Sequence, residues 1–264
     1  MRLFCLLLLS VFSLSFSMTA YVIEKEEVTK GMMEMKKKVT KYVAKGYEKE
    51  VRVSSMPVMA PGMSKSGTEK TETIRLFKKG KVVIYEVNHL RKMYTQMEMP
   101  ASLILWGIMS MFYDCDQQGN CRPKSGLKVT NEFRKIGKWK ARKVITTTST
   151  PMGEARTVLW VAKDKLLQEA ELKSLENALS SAEGDPKISS NPSIKKLLKD
   201  AGKRVREFIK RHGATVMSES EGMMWMKAIE VVKSVSKKNV SEGFFSLPKG
   251  YQKFNLPMGG YRPR

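Results

Sequence analysis

Two stretches of this chain each read as a strand, a tight turn and a second strand, and together they commit it to antiparallel pairing. The first is Thr73-Ile74-Arg75-Leu76-Phe77, then Lys78-Lys79-Gly80, then Lys81-Val82-Val83-Ile84-Tyr85-Glu86-Val87. β-Branched and aromatic residues alternate on either side of a turn whose glycine accepts a positive φ. The second is Trp139-Lys140-Ala141-Arg142-Lys143-Val144-Ile145-Thr146-Thr147-Thr148, which turns at Pro151-Met152-Gly153-Glu154 and returns through Arg156-Thr157-Val158-Leu159-Trp160-Val161-Ala162. Period two dominates from residue 21 to about residue 99. Tyr47, Val51 and Val53 fall on one side of a strand, and 91–97 forms another. Further strands are expected at 127–129, 213–217 and 225–235, whereas the Pro/Gly/Met-rich run 54–63 reads as a loop.

Helical periodicity enters in three places. Pro100 opens an apolar stretch over 101–113, expected to form a buried helix of about three turns. Leu167, Ala170, Leu175, Ala178, Leu179 and Ala182 recur on one face of a second helix, closed by Gly184. A third begins with Asn191 as cap and Pro192 at the first helical position. It carries Ile194, Leu197, Leu198, Ala201, Val205, Phe208 and Ile209 on one face, with Gly213 past its end. Its other face holds Lys195, Lys196, Lys199, Lys203, Arg206 and Lys210, a pattern that either solvates a packed helix or lies on an anionic membrane. The order of elements predicts a single α+β domain over residues 18–264, an antiparallel sheet with helices packed on one face and a helical insertion at about 165–212.

Residues 1–17 predict export. Arg2 supplies a short positive segment, Phe4 to Phe16 is almost unbroken apolar sequence, and Ser15 and Ser17 are small residues suited to a cleavage site. A second cleavage option follows Ala20. The apolar run is too short to span a membrane, so the expected location is periplasmic or secreted. The net charge of +22 favours anionic partners, an anionic membrane surface among them. The exported compartment argues against nucleic acid. Cys5 leaves with the signal, and Cys115 and Cys121, separated by turn-forming residues, are expected to form one small disulfide. That loop would stabilise by roughly 2–3 kcal/mol in the chain-entropy description.

Four phrases, in order, resemble a family of exported bacterial proteins with the fold of the outer-membrane lipoprotein carriers of the LolA/LolB type. They are Val83-Ile84-Tyr85-Glu86-Val87-Asn88 with Lys92-Met93-Tyr94-Thr95, then Ile136-Gly137-Lys138-Trp139-Lys140-Ala141-Arg142-Lys143-Val144, Leu159-Trp160-Val161-Ala162-Lys163-Asp164, and Phe244-Phe245-Ser246-Leu247-Pro248-Lys249-Gly250-Tyr251. The resemblance implies a curved half-barrel sheet whose concave side is covered by helices and holds acyl chains or another hydrophobic ligand. The chain departs from the carriers in its length between Asp164 and Gly213 and in its methionine content.

Chemistry-bearing motifs are absent. The sequence has no phosphate loop, dinucleotide fingerprint, zinc-protease motif or nucleophile elbow, and its two histidines, His89 and His212, sit by a turn and at a helix C-terminus. These absences point to a non-enzymatic protein without a cofactor. The 19 methionines suit an adaptable apolar lining. Met56, Met59 and Met63 give the alternative, a soft-ligand site for Cu(I). The expected function is binding of a lipid, a lipoprotein acyl chain or another hydrophobic ligand, with Ile84, Met93, Trp160, Trp225 and Phe245 as the expected lining; a structural module of the envelope without a ligand uses the same residue types.

Overall fold

The computed structural model describes residues 17–30, 34–55, 68–103, 113–115, 121–123, 127–150, 153–221 and 227–255. Strands β1 (Ser17–Lys30), β2 (Met35–Ala44), β3 (Tyr47–Ser55), β4 (Thr68–Lys78), β5 (Lys81–Asn88) and β6 (Met93–Pro100) follow one another as an antiparallel meander. A small ladder of β7 (Tyr113–Cys115) and β8 (Cys121–Pro123) stands apart. The second meander comprises β9 (Lys128–Ile136), β10 (Trp139–Thr150), β11 (Gly153–Ala162), β12 (Ala214–Glu221) and β13 (Lys227–Ser241). A short β14 (Gln252–Lys253) pairs in parallel with β6. Antiparallel pairing of β1 with β13 fuses the meanders into one curved, unclosed sheet of twelve strands among the described residues, in the order β14-β6-β5-β4-β3-β2-β1-β13-β12-β11-β10-β9.

Three helices fall between β11 and β12: α1 (Lys165–Glu183), α2 (Pro186–Ser189) and α3 (Pro192–His212). Helix α1 contacts β5, β4, β2, β1, β13 and β12. Six strand spacings at about 4.8 Å and a 19-residue helix at about 1.5 Å per residue both come to roughly 28–29 Å, so α1 crosses the strands. The face it covers is the inner face of the sheet. The expected apolar positions Leu167, Ala170, Leu175, Ala178, Leu179 and Ala182 are all buried. In α3, Asn191 caps the helix by accepting from the Ser193 and Ile194 backbone N–H groups, as its sequence predicts.

Polar residues, buried or partly buried, fix where α1 lies. Asp164 caps its start and accepts from Trp139 Nε1 of β10 at 2.9 Å. Asn177 Nδ2 donates to the Ala44 carbonyl and its Oδ1 accepts from the Gly46 N–H, each at 2.8 Å, holding the β2–β3 turn. The Gly80 N–H donates to the Ser181 carbonyl at 2.9 Å, and a Cβ at Gly80 would stand 2.6 Å from the Gly184 carbonyl oxygen. The β4–β5 turn therefore needs glycine both for its φ of +79° and for its contact with the helix end.

Several expectations shift. β1 begins at Ser17 rather than near residue 21, and Ala20 within it is wholly buried. β9 runs to Ile136 instead of stopping at Val129; it is an edge strand with exposed residues on both sides, so its sequence shows no alternation. Of the helix expected over 101–113, only 101–103 lies among the described helical residues.

Candidate functional site

Five strands each place two residues, spaced two apart, on the inner face. They are Ile23 and Lys25, Lys41 and Val43, Glu48 and Glu50, Arg75 and Phe77, and Glu230 and Val232. The spacing is the alternation of a strand, so all of them look toward the helices. Between them and α1 and α3 lies a cavity of about 710 Å³.

The walls of this cavity differ. Phe77, Ile84 and Met99 of β4–β6, Leu159 of β11, and Val205 and Phe208 of α3 form an apolar side. The other side carries the charges, interleaved with Ile23, Val43 and Val232: the strand registers set Val43 opposite Glu48 and Ile23 opposite Lys41. Lys25 pairs with Glu230 at 2.6 Å, and Glu48, only 3% exposed, pairs with Lys41 at 3.1 Å and with Arg75 at 3.8 Å. The Ser174 hydroxyl of α1 donates to Glu48, and Glu50 pairs with Arg52. Arg75 stands directly opposite Glu48 in the β3–β4 register, so strand pairing itself builds this ion pair.

Glu171 of α1 completes the charged side. Its Oε1 accepts from the Thr215 backbone N–H of β12 at 2.8 Å, and the surface it retains faces the cavity. Burial raises its pKa to about 7, against the hydrogen bonds from the Thr215 N–H and hydroxyl and the fields of Lys25 and Lys41, which pull it down. Among the described residues no cation forms an ion pair with it. A buried carboxyl of this kind holds or releases a proton near neutrality and accepts a hydrogen bond from whatever occupies the cavity.

The expected lining residues separate. Ile84 lines the cavity. Trp160, next to the inward Leu159, points to the opposite, outer face. It borders a hollow of about 210 Å³ with Lys143, Arg156, Glu219 and Lys227, and its Nε1 donates to Glu219 at 3.4 Å. Phe245 is 2% exposed and stacks on Tyr47, outside β3. Met93 lies in β6 beside β14. Trp225, Met56, Met59 and Met63 lie outside the described residues. Cys115 and Cys121 oppose each other directly in the β7–β8 register, and Cα atoms of such pairs, roughly 4.5–5.5 Å apart, are within disulfide range. Among the described residues, no group of three or more His, Cys, Asp or Glu side chains is placed to hold a metal ion.

Neither histidine reaches the cavity. His89 Nε2 lies 3.0 Å from Glu72 and its Nδ1 2.8 Å from the Tyr251 hydroxyl, which ties the C-terminal segment to the outer face. At the end of α3 the helix dipole favours a charged His212, yet its pKa is lowered by burial and by Arg142, Arg211 and Lys163. The sequence does not single out Glu48 and Glu171, because a glutamate among lysines on a strand or helix reads as a solvated face.

No family model matches the chain. A protein of Aquifex aeolicus (strain VF5), described only as uncharacterised, is 26% identical over 258 residues, covering 96% of this chain and 88% of that protein. Among solved structures, a DUF1329 family protein from Desulfovibrio piger aligns with 90% of this chain and 93% of its own at 8% identity. Its TM-score of 0.33 is too low to equate the two folds.

Proposed function

We propose that this protein is exported and holds a hydrophobic, amphiphilic ligand in the cavity between its sheet and its helices, binding it without chemical change. The observation that carries this reading is the division of one 710 Å³ space into an apolar side and a charged side. That volume falls within the range of small-molecule sites, roughly 300–1,000 Å³. A twelve-carbon chain against the apolar side gains about 0.8 kcal/mol for each buried CH₂, enough in sum to offset a typical association cost of about 4–15 kcal/mol only if most of the chain is covered. A head group then meets the charged side. The curved, unclosed sheet with helices on its inner face supports the half-barrel of the lipoprotein carriers that the sequence resembles.

Export through residues 1–17 is part of the same reading. Cleavage after Ser17 keeps the pairing of Met18 with Val240 and of Ala20 with Lys238, whereas cleavage after Ala20 removes a buried residue of β1. Lys195, Lys196, Lys199 and Lys203 are exposed on α3, which roofs the cavity, and support docking to an anionic membrane.

The test is titration with N-phenyl-1-naphthylamine, an uncharged probe that fluoresces in apolar surroundings, against wild type and Val205→Trp, which fills the cavity from α3. Saturable binding to wild type, weakened at least about tenfold in the variant, is expected. No saturable binding, or equal binding to both, overturns the reading.

A further inference from the structure

We infer that the cavity selects amphiphiles whose head donates hydrogen bonds and bears no negative charge, an alkylamine ahead of an acylglycerol, with Glu171 as the head-group acceptor. The inference rests on the binding function proposed above and names the ligand class for that site.

Burying an anionic head beside an apolar wall requires a cation free to meet it. Three cations line the cavity among the described residues, and each is engaged: Lys25 with Glu230 at 2.6 Å, and Lys41 and Arg75 with Glu48 at 3.1 and 3.8 Å. Against them stand four carboxylates, Glu48, Glu50, Glu171 and Glu230. An anionic head would have to break one of these pairs and leave its carboxylate exposed to a second negative charge.

Glu171 is the acceptor with capacity to spare. An ionised carboxylate offers about four lone-pair sites, of which the Thr215 N–H and hydroxyl meet two. Its elevated proton affinity has the same origin: without a paired cation, burial favours uptake of a proton. An ammonium head supplies the missing charge and donates the hydrogen bond together, and a hydroxyl head supplies the hydrogen bond alone. The resulting preference runs against the protein's net charge of +22, whose long-range field attracts anions. Cavity and surface therefore predict opposite orders.

The experiment is displacement of N-phenyl-1-naphthylamine from the processed full chain by dodecylamine, monododecanoylglycerol and dodecanoate, at about pH 8, above the range of Glu171. Dodecylamine is expected to displace the probe at a concentration at least about tenfold lower than dodecanoate, with the glycerol ester between. Glu171→Gln is expected to shrink that ratio to about threefold or less, while Lys135→Gln, on the exposed β9, leaves it unchanged. Dodecanoate binding as tightly as dodecylamine overturns the inference, as does a ratio untouched by Glu171→Gln. Failure of the probe itself to bind would remove the binding function and this inference together, whereas probe binding with dodecanoate preferred removes the inference alone.

Discussion

The two sides of the cavity are built and stabilised in different ways. The charged side comes from residues two apart on neighbouring strands, whereas the apolar side takes Phe77, Ile84 and Met99 from β4–β6, Leu159 from β11, and Val205 and Phe208 from α3. On the apolar side, Phe77, Ile84, Met99 and Leu159 face open space and have given up part of the contact a filled core would supply. On the charged side, Glu48 is saturated by Lys41, Arg75 and the Ser174 hydroxyl. Emptiness is tolerated where a tail would lie, while charge is held rigid where a head would lie. Only Glu171 departs from that division, as a buried carboxyl without an ion pair among the described residues.

The largest expected effect of breaking this comparison comes from the saturated pair. Glu48→Gln removes the carboxylate that pairs with both Lys41 and Arg75, leaving Glu50, Glu171 and Glu230 as the anions of the lining, and both cations are partly screened by solvent. Stability to urea is expected to fall by about 3 kcal/mol, and a loss under about 1 kcal/mol would mean that the pair is merely superficial. Affinity for dodecanoate should rise in the same variant, because a cation is released.

Glu171→Gln should act in the opposite direction on stability. A carboxyl near 4.5 when unfolded and about 7 when folded binds more protons in the folded state between those values. Stability therefore falls as pH rises through that window, and the penalty is complete above it. The glutamine variant escapes the penalty, so above about pH 8 it should exceed wild type by at most ~3 kcal/mol, less the strength lost in the Thr215 hydrogen bond. At about pH 4 the two should converge. Urea midpoints across pH check this; a wild-type stability that rises from pH 5 to pH 8 while the variant stays flat would refute it.

A smaller effect is expected on the apolar side. Ile84→Ala enlarges a space that already exists, so its cost should sit near the low end for such truncations, about 2 kcal/mol. Binding of the uncharged probe should weaken several-fold. Wild-type affinity in this variant would show that the tail lies elsewhere.

Much of the framework was legible in the sequence. The hairpins around Gly80 and at 139–162 form, and the apolar stripe of α1 is buried as its spacing predicts. In α3, Leu198, Ala201 and Ile209 are buried, while Ile194, Leu197, Val205 and Phe208 are partly buried. The cavity was legible only in part, for a physical reason. In β3, Tyr47 marks the apolar side of the strand, but that side is covered from outside by Phe245, and the polar residues Glu48 and Glu50 face the cavity. Alternation identifies a strand and its two faces; it does not say which face the helices will cover. Trp160 was misleading in the same way, because its large ring packs outside beneath Arg134 and Lys143. The clamps made by Asn177 and Ser181 were hidden because their partners, Ala44, Gly46 and Gly80, lie more than a hundred residues away.

The most direct test of the central claim is native mass spectrometry of the protein purified after export, before and after incubation with a total lipid extract. The account predicts a mature chain beginning at Met18 that carries one discrete amphiphile per molecule, and no such species on Val205→Trp. A chain that stays unliganded in the lipid extract, or a variant that takes up the same species equally well, would contradict it.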